Sequence, residues 1–142
     1  MKIFHISDLH IGKRLNLFDL LEVQKNVLNQ IIKAARTEQP DVIIIAGDIY
    51  DKSSPSGEAI RLLSEFFSEL ADIEPQISIL IISGNHDSNL RLNYAASFLA
   101  KHSIHICAAL PQNKEQYIKK MTFSDRYGDI YFYMMPFVKP ED

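Results

Sequence analysis

Residues 42–51 read V-I-I-I-A-G-D-I-Y-D. Val42 to Ala46 is a nearly unbroken β-branched run, the composition of a strand buried on both faces of a parallel sheet. Gly47 lets the backbone bend as it leaves that strand. Asp48 and Asp51 then follow at once. Working outward, the same grammar recurs on both sides. Lys2 to Ser7 (K-I-F-H-I-S) is a short strand followed by the turn D-L-H-I-G at 8–12. Ile77 to Ile82 is another buried-type strand, followed by S-G-N-H-D-S at 83–88.

Between these strands lie helical patterns. Leu20 to Arg36 carries Leu20, Leu21, Val27, Leu28, Ile31, Ile32 and Ala35 at helical spacing. Ser54-Pro55 reads as a cap and first turn, with the helix running to about Leu70 along Ile60, Leu63, Phe66, Phe67 and Leu70. Phe66 and Phe67 are adjacent, so about 100° separates them on a helix; one completes a helical dimer interface, or both meet a broad core. Asn89 to Lys101 is a third helix pattern, and Ile104 to Ala108 a short strand. Alternating strands and helices predict an α/β fold with parallel strands. Beyond them, Tyr117–Phe123 and Asp129–Phe137 flank the turn-like Asp125-Arg126-Tyr127-Gly128, which predicts a change to antiparallel pairing.

Composition narrows the function classes. The chain has 142 residues, 46% hydrophobic, with 15 basic and 18 acidic side chains. That supports one packed domain and gives no support for a basic, non-specific grip on nucleic acid, while leaving a nuclease open because bound metal ions offset local acidity. Cys107 is the only cysteine, which excludes an internal disulfide and a cysteine zinc cluster. The sequence has no apolar run of membrane-spanning length and no signal-peptide pattern after Met1, so the expected location is cytoplasmic, with no membrane association.

Three strand ends thus deliver Asp8 and His10, Asp48 and Asp51, and Asn85, His86 and Asp87. In an open parallel sheet the carboxyl ends of strands form the ligand crevice. Carboxylates, imidazoles and one amide suit manganese, iron or zinc better than copper or an iron–sulfur cluster. Asp8 and His10 are two residues apart, so an extended segment would aim both at one ion. Asp48 has two oxygens with which to bridge a pair of ions, and Asn85 offers a neutral oxygen. His86 can give a proton or hydrogen bond to a reacting phosphate. Each motif alone is a common turn; their conjunction, each after a strand, points to a metal site. His5, inside the first strand, is read as structural, and His102 and His105 as capping or surface residues.

S-D-L-H-I-G, A-G-D-I-Y-D and S-G-N-H-D-S together resemble the calcineurin-like metallophosphoesterases, and within them the bacterial double-strand DNA exonuclease branch typified by SbcD. Pro55-Ser56 and the terminal P-F-V-K-P-E-D at 136–142 resemble that branch as well. Lys52 and Ser53 after Asp51 depart from the G-D-x-x-D-R-G pattern of the protein phosphatases. The resemblance implies a two-sheet sandwich flanked by helices and holding two manganese ions, with magnesium or another divalent ion as a substitute. Asp8 and His10 would ligate the first ion, Asp48 would bridge, Asn85 would ligate the second, and His86 would contact the scissile phosphate. Asp51 stands where another branch of these nucleases has histidine and the bacterial branch aspartate; Asp87 would support a histidine.

The family also uses a further histidine and a G-H-x-H motif, which these 142 residues lack. The chain is therefore expected to be the N-terminal portion, residues 1–142, of a truncated nuclease domain. It is expected to hold one ion or none and to be inactive alone. The intact protein would cut DNA ends and hairpins with an SbcC-type ATPase, as a homodimer. Two other readings stay open: a metallophosphoesterase for small phosphodiesters or phosphomonoesters, and a non-catalytic interaction module.

Overall fold

A computed structural model describes residues 1–111 and 118–138. In chain order the elements are β1 (Ile3–Ile6), β2 (Arg14–Leu15), β3 (Phe18–Asp19), α1 (Leu21–Glu38), β4 (Val42–Ala46), α2 (Gly57–Ala71), β5 (Ser78–Ile82), α3 (Asn89–Asn93), α4 (Ala96–Leu99), a 3-10 turn (Ala100–His102), β6 (Ile104–Cys107), β7 (Lys119–Asp125) and β8 (Gly128–Met134).

The β-branched run Val42–Ala46 lies at the centre. As β4 it pairs in parallel with β1 and β5, and β6 completes a sheet in the order β1-β4-β5-β6. Its side chains alternate between two apolar layers, as a period of two requires. Ile43 and Ile45, with Ile79, Ile81, Ile104 and Ile106, pack under the helices against Leu28, Ile32, Leu63, Phe66 and Leu70. On the opposite face Val42 and Leu80, flanked by Ile44 and Ile82, meet Met134 of β8 with Met121, Phe123 and Phe132. Being covered on both faces makes a continuous β-branched run stable here. Truncating Ile43 or Ile79, neither of which is exposed at all, to alanine would cost about 2–5 kcal/mol.

The antiparallel hairpin forms as the sequence predicts. β7 and β8 pair from Lys119↔Met134 to Asp125↔Gly128. The Asp125 carboxylate accepts the Tyr127 N–H at 2.8 Å and the N-terminal ammonium at 2.8 Å, closing the turn and tying it to the chain start. Tyr117, the expected start of this region, lies outside the described residues.

Other expectations shift. The cap of α2 is Ser56, whose Oγ accepts the Ala59 N–H at 3.2 Å, so the helix starts after Ser54-Pro55 rather than on it. Phe66 and Phe67 are both buried, with ring centroids 6.0 Å apart, so both belong to a broad core face and neither is left for a dimer surface. The single helix expected over Asn89–Lys101 is broken into α3, α4 and the 3-10 turn. Within it only Leu92 is buried, and short segments with little apolar anchorage gain little from a continuous helix. A two-residue hairpin, β2–β3, follows the 8–12 turn, where the sequence pattern carries no strand signal. Among the described residues, no helix is long and apolar enough to cross a membrane.

Candidate metal centre

The loops leaving β1, β4 and β5 meet at the carboxyl edge of the sheet. Backbone bonds run on past the strands: Asp8 N–H donates to Gly47 C=O (3.1 Å), His10 N–H to Asp48 C=O (2.9 Å) and Ile11 N–H to Ile49 C=O (2.9 Å). The third loop is held by carboxylates. Asp48 Oδ1 accepts the His86 N–H at 3.0 Å. Asp87 accepts the N–H groups of Ile49, Tyr50 and Gly84 at 3.1, 3.0 and 2.8 Å.

His10 stands in the middle. Its Nε2 lies 3.7 Å from Asp48 Oδ2 and 4.0 Å from Asp8 Oδ1. Its Nδ1 is buried without a hydrogen-bond partner and lies 3.6 Å from Asp51 Oδ1. The His86 ring meets that of His10 edge-on at 4.9 Å. One ligand atom from each of His10, Asp48 and His86 can be chosen so that all lie within 4.8 Å of one another.

The sequence places Asp8 and His10 together by extended geometry, and that reason is wrong. Asp8 and His10 both have positive φ, 55° and 43°, as does Asp48 at 50°. Left-handed backbone is uncommon for residues with a side chain and gathers at functional sites. The two side chains converge through this irregular loop instead of along a strand.

Asp87 also differs from its expected role. Its carboxylate contacts backbone amides of two loops, and no bond to a histidine is found among the described residues. It braces the site by locking the loop after β4 to the loop after β5. The acid lies close enough to Tyr50 to matter: burial first, and the Asp87 charge second, push the Tyr50 phenol up to about 12. Asp51 touches both imidazoles, its carboxylate near His10 and its carbonyl oxygen 2.8 Å from His86 Nδ1. A carbonyl only accepts, so His86 Nδ1 carries a proton and Nε2 keeps the lone pair in the neutral ring. Asn85 is exposed on the same loop, beside His86. His5 sits within β1, and His102 and His105 lie on the 3-10 turn and on β6, apart from these loops.

Two contacts of the site go beyond what the motifs specify. Gly84 is pressed against Asp48, so closely that a Cβ on it would overlap the Asp48 carboxylate and backbone nitrogen. Gln24 of α1 donates to the carbonyls of Leu9 (3.1 Å) and His10 (2.7 Å) and accepts the Gly12 N–H at 3.0 Å. The glycine after β5 is a visible signal in the sequence; a glutamine near the start of a helix is not.

The donor set fits a divalent cation. Two ligands each about 2.0–2.2 Å from one ion stand no more than about 4.4 Å apart. The spacings from His10 Nε2 to the two carboxylates fall inside that limit, yet exceed a hydrogen bond. If Nε2 faces a cation, Nδ1–H points toward Asp51, the carboxylate–histidine–metal arrangement that orients such ligands.

Comparison with known proteins agrees with this geometry. The calcineurin-like phosphoesterase family profile matches residues 1–139. The chain is 42% identical over 137 residues, 96% of its length and 34% of the relative's, to the SbcD subunit of the nuclease SbcCD from Staphylococcus saprophyticus. It is 50% identical over 106 residues, 75% of its length and 28% of the relative's, to the SbcD subunit of the same nuclease from Staphylococcus epidermidis. It therefore spans about a third of the length of these curated relatives. Three strand-end loops, a histidine set between carboxylates and a profile match across nearly the whole chain agree that this protein belongs to the calcineurin-like phosphoesterase family and is homologous to SbcD-type nuclease subunits.

Proposed function

We propose that this chain carries part of the metal centre of a DNA phosphodiesterase, the N-terminal portion of a longer nuclease subunit that works with an SbcC-type ATPase. The observation that supports this most is the placement of His10 Nε2 between the carboxylates of Asp8 and Asp48. Asp8 and His10 would hold one manganese ion, and Asp48 would reach a second with help from Asn85. Magnesium could take either place. The chemistry supplied by the bound ions is polarisation of the phosphoryl group and activation of the attacking water.

The chain's own groups do the rest. Asp48 Oδ1 is engaged by the His86 amide, which leaves Oδ2 directed toward His10. His86 Nδ1 is committed to the Asp51 carbonyl, so Nε2 is the atom that would exchange a proton or hydrogen bond with a phosphate oxygen. His86 is exposed, as a group that meets a large substrate must be. Ligands for the second ion are incomplete among the named residues, in keeping with a longer functional protein.

Homodimer formation has a face to use. Ile60 of α2 and Leu90, Tyr94 and Phe98 around α3 and α4 are exposed and line an apolar groove of about 920 Å³. That face supports pairing of two subunits in the cytoplasm.

The test is manganese-dependent cleavage of linear duplex DNA by the full-length protein, with Asp48→Asn beside it. Loss of cleavage together with loss of bound manganese is expected. Undiminished cleavage by Asp48→Asn would overturn the proposal. This 142-residue chain, assayed at equal protein and manganese, is expected to cleave little or nothing.

A further inference from the structure

We infer that Gln24 is a positioning residue for the metal centre: through its side-chain amide, α1 holds the loop after β1 so that His10 presents Nε2 to Asp8 and Asp48. The inference rests on the metal-centre reading proposed for these residues.

One amide engages three backbone groups of that loop. Nε2 of Gln24 donates to Leu9 C=O and His10 C=O, and Oε1 accepts the Gly12 N–H. Both donor hydrogens and the acceptor oxygen are used, and a single planar amide fixes their relative directions. From the opposite side, the His10 N–H is tied to Asp48 C=O at 2.9 Å. The peptide before His10 is thus anchored to the loop after β4, and the peptide after it to α1. With both peptides held, the direction of the Cα–Cβ bond between them is set.

That restraint matters because His10 does not sit in a restful conformation. Its φ of 43° is left-handed, and Asp8 two residues earlier is left-handed as well. Residues with a side chain prefer the extended and right-handed regions. Released from Gln24, the loop has lower-energy backbone states open to it. In those states the imidazole leaves its place 3.7 Å from Asp48 and 4.0 Å from Asp8. The loop's other support is backbone bonding to the loop after β4, a turn bond from Lys13 N–H to His10 C=O, and buried Ile11 beyond the histidine; the Asp8 side chain, 65% exposed, adds almost no packing. Neighbouring Gly12, at φ 88°, lies where a Cβ would stand 3.0 Å from Ala59 Cβ. The same loop is therefore wedged between both helices, and Gln24 sets its register against α1.

A merely structural glutamine and a positioning glutamine predict different measurements. Manganese affinity of the full-length protein is read by electron paramagnetic resonance of free Mn²⁺, with folding followed by circular dichroism. Wild-type protein should bind manganese and Asp48→Asn should not. Absence of binding by the wild type would overturn the metal-centre reading itself. Given binding, Gln24→Met keeps the size of the side chain and removes all three bonds. It should fold and bind manganese about 10–100-fold more weakly, the usual effect of losing a group that orients a ligand. Gln30→Met, an exposed change on the same helix, should leave affinity unchanged. A folded Gln24→Met protein with wild-type affinity, even with a lowered melting temperature, would overturn the inference. Should Gln24→Met fail to fold, Gln24→Glu takes its place. It keeps the acceptor and loses the donors, and its added negative charge favours cations, so weaker binding there supports the inference and equal or tighter binding overturns it.

Discussion

Gly84 lies against Asp48 so tightly that no side-chain carbon fits between them. The contact joins the loop after β5 to the loop after β4 at the residue proposed to bridge two ions. Gly47, with φ 85°, stacks on the same glycine: a Cβ there would meet Gly84 Cα at 3.0 Å. Two backbones approach each other here because neither carries a side chain.

Gly84→Ala should therefore do two things. Overpacking at a rigid backbone contact should destabilise the fold by about 1–3 kcal/mol, read from denaturant unfolding. Displacement of Asp48 should also weaken manganese binding in the full-length protein. Wild-type affinity in a folded Gly84→Ala variant would show that Asp48 has slack that the structure does not reveal.

Asp87→Asn should loosen the site without touching a proposed ligand. Three backbone N–H groups end on this carboxylate. Hydrogen bonds to a charged group contribute about 1.5–3 kcal/mol, and an amide can accept with only one of its two heads. Stability should fall by an amount in that range. Cleavage by the full-length protein should fall further, by about 10²-fold, since a misplacement near 1 Å has that effect on rate. Comparing melting with single-turnover cleavage in one preparation separates the two effects.

His86→Ala should separate metal binding from chemistry. The ring is exposed and oriented by the Asp51 carbonyl, whereas His10 lies between the carboxylates. In the full-length protein at least one manganese should stay bound while cleavage drops about 10²–10⁴-fold. Metal content and cleavage rate measured on the same sample decide it. Loss of the metal with the ring would make His86 a ligand instead.

Tyr50 gives the chain a weakness at high pH. Its phenol is raised to about 12 by burial and by Asp87. The unfolded chain ionises near the ordinary value of 10 while the folded protein stays neutral. The stability it contributes is complete below pH 10 and is lost as pH rises toward 12. Tyr50→Phe should flatten that alkaline fall, as followed by circular dichroism across the window. An unchanged alkaline profile would show that the Tyr50 phenol does not control it.

The layering of the fold was legible in Val42–Ala46 and Ile77–Ile82, because a strand covered on both faces needs apolar residues on both, and only Ser78, at the start of β5, departs from that. The strand ends marked equally well which loops would meet at one edge, since there Asp8, His10, Asp48, Asn85 and His86 follow apolar strand-like runs. Local pattern carried less far in the third helix, where the few apolar residues from Leu92 to Leu99 gave the right spacing but too little burial to keep one helix whole. What tertiary structure alone decided is how His10 meets its neighbours. The sequence specifies two residues spaced as in a strand, while the protein holds both in left-handed backbone. That conformation is unfavourable locally and persists through bonds to partners far along the chain: Gly47, Asp48 and Gln24. The role of Gln24 was illegible for the same reason, and Gly84 was visible only as a glycine in S-G-N-H-D-S, without its contact to Asp48. Their roles consist of distances to residues 14 and 36 positions away, to His10 and Asp48, and such distances exist only once the sheet has brought its three loops to one edge.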